Sequence, residues 1–417
     1  MNKVELLAPA GNFSKLKTAI YYGADAVYIG GKNFSLRALS DNFTDDEIAD
    51  AVIYAHARNV KIYVTVNIFA RNNDFEKAAA YFRFLYNAGV DAVLITDIGL
   101  IDLCKEVAPG LSIHLSTQAN TLNKYSVKAW QNYGLKRVVL ARELSLGEVG
   151  EIHSFVPGME LETFVHGAMC ISYSGRCLLS NYLNGRDANR GECVQACRWS
   201  YELRERNKGG EYYPIEEDGR GTYILNSKDL NMINHIDELI AAGVVSLKIE
   251  GRMKSEYYLA TVVNAYRRAI DEYYKIGDKY KKNTMFYDEL TKTNHRAFTT
   301  AFNLGKNPDT INLQDSQSAG SKQFAAIVTD CVDDVVTVEM RNRFRRGDVL
   351  EILSPSENFN KTFTVGKMID ENGDIAGVCE GTNKTNDRQF YLNRRTLLGN
   401  MHGQAPVLWC VNAFLER

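Results

Sequence analysis

Several common signatures of membrane proteins and enzymes are missing from this sequence. No apolar run approaches the roughly 18 residues that cross a bilayer, so we expect no membrane-spanning segment. No G-x-G-x-x-G turn follows the first apolar strand, which leaves a dinucleotide-binding function without support. The motifs H-E-x-x-H and G-x-S-x-G are also absent, which argues against the common zinc peptidase and serine hydrolase sites.

The chain also lacks a strong charge of either sign and an apolar leader. The formal net charge is -2 and the pI is about 6.4, so an RNA partner would need local basic patches. The sequence starts MNKVELLAPAG without an apolar signal segment, so we expect a cytoplasmic location, where disulfides are rare. Its 417 residues are enough for one barrel-sized domain and a smaller one.

Half of the eight cysteines lie in one polar, glycine-rich stretch. They are Cys170, Cys177, Cys193 and Cys197, spaced C-x6-C-x15-C-x3-C. Such a loop can turn its sulfurs towards one point, and thiolates bind zinc or iron–sulfur clusters, so the spacing predicts a four-cysteine metal site. Buried packing cysteines and two disulfides are the alternatives. The gaps are wider than those of common zinc sites, which slightly favours a 4Fe–4S cluster and leaves zinc open.

Short apolar strands alternate with amphipathic helical stretches up to about residue 250. This pattern predicts an α/β fold, a TIM-type (β/α)8 barrel with the cysteine-rich loop after its seventh strand. A doubly wound open sheet is the alternative. The predicted strands are 4–8, 26–30, 61–67, 92–97, 112–117, 137–142, 159–166 and 246–250.

The pattern changes near residue 319, which indicates a second domain. We assign residues 1–295 to the barrel, with the four-cysteine loop at 168–200 and a polar insert at 204–221. Residues 296–318 are predicted to be a linker. Short alternating runs separated by Asp, Gly and Asn in 319–417 predict a small C-terminal antiparallel β-barrel.

A basic cluster lies within this second domain. Four guanidiniums fall within six residues, at Arg341, Arg343, Arg345 and Arg346. A basic edge on a small β-domain is suited to binding an RNA backbone, so we predict an RNA-binding role. The alternative is an exposed edge hairpin that charge keeps soluble.

The motif around the first two cysteines resembles a known family. The run E-x-F-x-H-G-A-M-C-x6-C-L-L-S, from Glu162 to Ser180, is similar to the collagenase-like peptidase family U32, as are the opening LLAPAGNFSKLKTAIYYGADAVYIGG and the later KIEGRMKS. This resemblance implies a TIM-type barrel, a 4Fe–4S cluster on the four cysteines, prephenate as co-substrate and no ordinary protease activity. Length and C-terminal region are most like the branch associated with forming 5-hydroxyuridine at the wobble position of tRNA. The anticodon loop of tRNA is then the expected partner.

Other functions remain open alongside this one. Sister branches hydroxylate ribosomal RNA or ubiquinone precursors, so another RNA or a quinone precursor is an alternative substrate. A collagenase-like peptidase and a zinc-stabilised RNA-binding protein are alternatives from other classes. A homologous partner subunit is also compatible with the resemblance.

Polar residues at the predicted strand ends are the candidates for binding the substrates. Prephenate carries two carboxylates, for which arginine is a favoured partner, and we select Arg37, Arg142 and Arg252. Gln118 and Asn67 are further substrate-binding candidates at strand ends. Ion pairing with neighbouring glutamates at the barrel rim is the alternative for the arginines.

Three residues are candidates for the chemical step. They are His166, Arg142 and Glu162, which lie within or near the motif and the strand ends. His166 is suited to proton donation or to lying beside the cluster, but a lone histidine is often only a hydrogen-bonded residue beneath a loop.

Overall fold

A computed structural model shows the architecture of two compact units, Met1–Ala319 and Gly320–Arg417. It describes residues 3–36, 41–170, 172–173, 176–177, 179–184, 186, 192–194, 217–218, 221–222, 227–305, 320–332, 335–366, 368, 378–379, 396–397 and 408–412. Within these residues, no helix is both long enough and apolar enough to cross a bilayer.

The first unit contains a closed barrel of eight parallel strands. Strands β1 to β7 are hydrogen-bonded in chain order, β11 pairs with β1, and β11 also pairs with β7 to close the ring. The predicted α/β barrel is therefore confirmed. The strands of this unit are β1 Glu5–Pro9, β2 Ala26–Gly30, β3 Lys61–Val66, β4 Ala92–Ile95, β5 Ser112–Leu115, β6 Arg137–Val139, β7 Glu160–Ala168, β8 Glu217–Asp218, β9 Gly221–Thr222, β10 Asp229–Asn231, β11 Val244–Ile249 and β12 Phe298–Thr299.

Helices follow most of the barrel strands. Several of them begin at a side-chain cap, and two of these caps, Thr44 with Glu47 and Ser145 with Glu148, are reciprocal capping boxes. Strand β2 is buried along its whole length, as expected of a strand that contacts helices outside and side chains inside the barrel. The helices are α1 Phe13–Tyr21, α2 Asp45–His56, α3 Phe75–Asn87, α4 Ile98–Val107, α5 Lys124–Asn132, α6 Leu146–Phe155, α7 Leu179–Asn184, α8 Ile236–Ala241, α9 Glu256–Ile276 and α10 Thr284–Leu290.

Two short strands extend the sheet beyond the barrel at the carboxyl end of β7. There β10 pairs antiparallel with His166–Ala168, and β12 pairs with β10. Glycine is required at position 167 for two reasons. Its φ is +103°, which side chains disfavour, and an added Cβ would lie 2.2 Å from the carbonyl oxygen of Glu250. The start of the predicted linker 296–318 therefore contributes a strand to the first unit.

The second unit contains a five-stranded sheet in the order β14-β13-β19-β15-β16. Two antiparallel pairs, β13 with β14 and β15 with β16, confirm the predicted antiparallel strands, and β19 runs parallel between β13 and β15. Ala325, Ala326, Val328, Leu350 and Val365 form its buried core. The strands are β13 Ala326–Val332, β14 Val335–Met340, β15 Val349–Leu353, β16 Thr362–Thr364, β17 Val378–Cys379, β18 Thr396–Leu397 and β19 Leu408–Asn412.

Candidate active site at the barrel mouth

The mouth of the barrel is formed by the residues that follow the carboxyl ends of its strands. Arg252, one of the predicted carboxylate ligands, is almost fully buried there. Its Nη1 donates to Ser35 Oγ (2.7 Å) and Thr65 Oγ1 (3.3 Å), and its Nη2 donates to the carbonyl of Leu36. Gly30 leaves room for this guanidinium, since a Cβ there would lie 2.2 Å from Nη1. This geometry favours a role for Arg252 in holding the loop after β2. Arg37 lies outside the described residues.

Asn67 and Gln118 are joined by a chain of hydrogen bonds across the mouth. Asn67 Oδ1 accepts from the backbone N–H of Leu36 (3.2 Å), and Asn67 Nδ2 donates to Gln118 Oε1 (3.3 Å). The hydroxyl of Ser116 also donates to Gln118 Oε1 (2.6 Å). The two amides predicted to bind substrate are therefore brought together and held in fixed orientations.

Arg142 lies between the mouth and the cysteine loop. Its Nη1 donates to the carbonyl of Ala168 (3.2 Å), and its Cζ lies 5.1 Å from the centre of the Phe164 ring. The side chain is half-buried, and no carboxylate among the described residues pairs with it. Its other guanidinium donors meet no acceptor in the part of the chain that the structure describes, and its role in binding a carboxylate stays a prediction.

Three of the four clustered cysteines belong to the described residues, and Cys197 does not. Burial raises the pKa of the Cys170 thiol, with a smaller contribution from Cys177 and Cys193 and an opposing one from Arg142. Arg142, Cys177 and Cys193 are thus all near enough to influence the charge of Cys170. These three described cysteines form no disulfide in this structure.

Hydrogen-bond donors approach two of these sulfurs. The backbone N–H of Leu179 donates to Cys177 Sγ (3.3 Å), and the buried Ser180 hydroxyl lies 3.9 Å from Cys193 Sγ. Donors of this kind stabilise metal-bound thiolates, so the chemistry of this loop fits a thiolate-ligated metal. Among the described residues alone, no three His, Cys, Asp or Glu side chains are arranged to hold a metal ion.

Comparison with known proteins agrees with the motif. The sequence matches peptidase family U32 over residues 11–312 and the U32 C-terminal domain over residues 321–387. The chain belongs to peptidase family U32. The resemblance inferred from the motif is thereby confirmed.

Three curated relatives are similar to this U32 chain over most of its length. The tRNA hydroxylation protein P1 of Bacillus subtilis is 42% identical over 89% of this chain and 88% of its own length. The tRNA hydroxylation protein P of Escherichia coli is 38% identical over 97% of this chain and 98% of its own. The 23S rRNA 5-hydroxycytidine C2501 synthase of Escherichia coli is 34% identical over 85% of this chain and 53% of its own.

His166, a predicted catalytic residue of this U32 protein, lies in an aromatic environment. The rings of Tyr258, Tyr266 and Phe298 lie 5.6 to 6.0 Å from its own. Burial lowers the pKa of His166 to about 3, and the charges of His295 and Lys254 add to this. The imidazole is therefore neutral near pH 7, so it has no imidazolium proton to donate. Its catalytic role stays a prediction, and its surroundings favour packing.

Glu162, also predicted to be catalytic, belongs to a charge network inside the barrel. It is fully buried, and it accepts hydrogen bonds from Lys248 Nζ (2.8 Å) and Arg137 Nη1 (3.1 Å). Burial alone would raise the pKa of Glu162, but these two cations hold it below its usual value. Arg137 also pairs with Glu5 and Glu160. We call Glu5, Arg137, Glu160, Glu162 and Lys248 the interior network. Its closure favours a structural role for Glu162.

Three members of the interior network lie at the amino ends of their strands. Glu5, Arg137 and Glu160 are the first residues of β1, β6 and β7. Ser246 and Tyr63 complete it by donating to the Glu5 carboxylate. TIM barrels are generally filled by branched apolar side chains, so strand patterning alone did not indicate that these charged residues face each other.

Arg176 is a mouth residue that sequence reasoning missed. Its Nε donates to the backbone carbonyl of Gln118 (2.9 Å), and its Cζ lies 5.5 Å from the centre of the Phe69 ring. Because Arg176 directly precedes Cys177, this contact connects the cysteine loop to the turn after β5. Its position next to Cys177 in the sequence was the feature that could have identified it.

The four predicted RNA-binding arginines lie together between β14 and β15. Arg341 pairs with Glu339 (3.1 Å), and Arg345 pairs with Asp348 (3.7 Å). Arg343 and Arg346 have no carboxylate partner among the described residues. The structure thus brings the four residues into one turn, with two of the charges partly neutralised. Their binding to RNA stays a prediction.

Proposed function

We propose that this protein hydroxylates tRNA, converting the wobble uridine to 5-hydroxyuridine with prephenate as co-substrate. Two relatives named as tRNA hydroxylation proteins align with 89% and 97% of the chain, so the similarity includes both units. The geometric observation that supports this function best is the position of Arg142, whose guanidinium donates to the carbonyl of Ala168, two residues before Cys170. An anionic co-substrate and a redox-active metal would meet at that point. Action on tRNA implies a cytoplasmic location.

The proposed cofactor is a 4Fe–4S cluster held by Cys170, Cys177, Cys193 and Cys197. When bound, such a cluster would supply electron transfer or a Lewis-acidic iron. The chain's own contribution is to place donors around the sulfurs, through Leu179 and Ser180, and to hold the loop against the barrel through Arg176.

Arg142 is proposed to bind one carboxylate of prephenate. A guanidinium can hold a carboxylate through two parallel hydrogen bonds, and this one is already oriented by Ala168 and Phe164. Arg252 would act indirectly by fixing the loop after β2. The anticodon loop is single-stranded, so turning a uridine out of its stack towards the mouth costs little. The arginines of the β14–β15 turn would contact the RNA backbone.

The peptidase alternative gains no support from the cysteine loop. Burial raises the pKa of the Cys170 thiol, whereas a cysteine nucleophile needs a lowered pKa to be a thiolate at neutral pH. A zinc-stabilised protein would contain zinc instead of iron, so metal analysis of the purified protein distinguishes this alternative from the iron–sulfur proposal.

Metal content is the first test. We expect about four irons per chain and matching sulfide after anaerobic purification, lost when any of the four loop cysteines is changed to Ala. Cys331→Ala is the matched control, because Cys331 is exposed on β13 in the second unit. One zinc per chain, or a metal-free protein with full activity, would refute the iron–sulfur proposal.

Substrate use is the second test. Wild-type protein should form 5-hydroxyuridine in tRNA only when prephenate is supplied, as measured by mass spectrometry of digested nucleosides. Arg142→Ala should raise the KM for prephenate by about 10- to 100-fold, because a charge-assisted bidentate contact is lost. Arg142→Lys keeps the charge and should recover part of the loss. An unchanged KM in Arg142→Ala would remove this residue from the co-substrate site.

A further inference from the structure

Three hydrogen-bond donors hold the side-chain amide of Gln118 at the mouth through its oxygen atom. Its Oε1 lies 2.6 Å from Ser116 Oγ, 3.3 Å from Asn67 Nδ2 and 3.4 Å from Thr96 Oγ1. Gln118 itself is half-buried in the turn that follows β5. A side chain held by three neighbours is preorganised, so the rest of its amide points in a defined direction.

The hydrogen-bond chain determines which end of the Gln118 amide faces Asn67. A backbone N–H can only donate, so Leu36 requires the oxygen of Asn67, at 3.2 Å. The NH₂ group of Asn67 then faces Gln118, and because NH₂ only donates, Gln118 must present its own oxygen. Gln118 Nε2 therefore points away from Asn67. Neither of its N–H donors meets an acceptor among the described residues.

Gln118 itself lies where the turn after β5 meets the cysteine loop. The backbone carbonyl of Gln118 accepts from Arg176, which precedes Cys177. The guanidinium of Arg176 in turn lies over the ring of Phe69. Guanidinium planes and aromatic rings are the surfaces on which proteins stack unpaired bases. A residue that carries a fixed pair of N–H donors and whose backbone contacts such a guanidinium is suited to reading the edge of a base.

We propose that Gln118 selects uracil by donating from Nε2 to the 4-carbonyl oxygen of the target base. Cytosine carries an amino group, which is a donor, at the same position, so it would place donor against donor. Since the amide cannot turn over without breaking the bonds to Asn67 and Leu36, the site cannot adapt to cytosine. This inference rests on the proposed function, because it takes a uridine in RNA as the substrate.

Gln118→Glu tests this role with almost no change in shape. The glutamate keeps an oxygen for Ser116, Thr96 and Asn67 but replaces the outward donor with an acceptor. Full-length protein would be titrated with two anticodon stem-loops that differ only in U or C at the wobble position, by fluorescence anisotropy. We expect the wild type to prefer U by about tenfold or more, and Gln118→Glu to lower that ratio by about 10- to 100-fold.

Two further variants keep the result interpretable. Gln131→Glu makes the same charge change on the outer helix α5 and should leave the ratio unchanged. Asn67→Asp leaves Gln118 intact but removes the donor that faces Oε1, so the Gln118 amide should turn over and the preference for U should again fall. This result would show the effect in a protein with a native Gln118, even if Gln118→Glu were poorly folded.

Several outcomes would overturn the proposal. An unchanged U-to-C ratio in well-folded Gln118→Glu or Asn67→Asp would do so. A weaker affinity for prephenate with an unchanged ratio would also do so, because Nε2 would then contact the co-substrate. A wild-type protein that prefers U but forms no 5-hydroxyuridine would instead refute the proposed function and support the base selection, since binding is measured without turnover.

Discussion

Arg137 and Arg142 are five residues apart in the chain and have opposite surroundings. Arg137, at the start of β6, pairs with Glu5, Glu160 and Glu162 inside the barrel. Arg142, just beyond the end of β6, donates to the backbone carbonyl of Ala168 and lies over the ring of Phe164. A cation whose donors are all used by its own protein holds the fold together. A cation with donors left over at a barrel mouth is available to a ligand.

Glu162 and Gln118 differ in the same way, since one has its polar atoms satisfied by the protein and the other does not. Glu162 is closed in by two cations, and its lowered pKa keeps it charged. The side chain of Gln118 is held through its oxygen, and its nitrogen meets no acceptor among the described residues. Buried charge is tolerated only with close partners, so the interior network is expected to be far more sensitive to mutation than the mouth.

Breaking the interior network should have the largest effect. Glu162→Ala leaves Lys248 and Arg137 without their shared carboxylate in a buried site, and we expect a loss of about 3–5 kcal/mol in the free energy of unfolding. Chemical denaturation followed by fluorescence measures it. Glu151→Ala is the control, because that carboxylate is 72% exposed and 4.0 Å from Lys124, and it should change stability by less than about 0.5 kcal/mol.

Arg142→Ala completes this comparison at the mouth. It should destabilise the protein by less than about 1 kcal/mol, although it impairs the use of prephenate. Equal losses of stability in Glu162→Ala and Arg142→Ala would show that the distinction between the interior network and the mouth is wrong.

His166 offers a smaller effect that depends on pH. Its folded-state pKa of about 3 lies below the unfolded value of about 6.5, so the unfolded state binds more protons as the pH falls. The stability contributed by neutral His166 is thus present above about pH 6.5 and is lost as the pH falls towards 3. His166→Phe should remove about 2 kcal/mol of the stability loss between pH 7 and pH 5.

Unfolding curves at several pH values test this expectation. A parallel decline in stability for wild type and His166→Phe over that interval would mean that His166 is not held neutral in the folded protein. The catalytic interpretation of His166 would then regain support.

The exposed arginines of the second unit should show the smallest effect. Arg343→Ala with Arg346→Ala removes two charges that lack a carboxylate partner in the described part of the chain, whereas Arg341 and Arg345 are paired. We expect the first pair of changes to weaken tRNA binding by less than about tenfold and to flatten its salt dependence, without loss of stability. Replacing Arg341 and Arg345 with Ala should weaken tRNA binding less. Unchanged binding with all four arginines replaced would exclude this turn from the RNA interface.

Most of the barrel could be predicted from the sequence. Apolar runs such as 26–30 and 61–67 agree with β2 and β3 to within a residue, because a barrel strand buried on both faces needs a continuous apolar run. The cysteine spacing and the motif from Glu162 to Ser180 likewise indicated the family. These features depend on residues that are close together in the sequence, so they can be read from the sequence alone.

The roles of individual polar residues could not be predicted in the same way. Arg142 and Arg252 both follow a barrel strand, and the sequence alone offered no reason to separate them. The structure separates them because Arg252 reaches Ser35, which lies more than 200 residues earlier in the chain. Glu162 was selected because it belongs to the motif, but its partner Lys248 lies on another strand.

The sequence by itself therefore determined the strand order, the family and the set of residues that can carry chemistry. Only the tertiary structure decided which of those residues have their charges and hydrogen bonds satisfied by the protein, and which, like Arg142 and the Gln118 nitrogen, have donors that meet no acceptor in the described part of the chain. The physical reason is that hydrophobic periodicity is encoded over a few neighbouring residues. The pairing of a buried polar group depends on partners that only the closed barrel brings together.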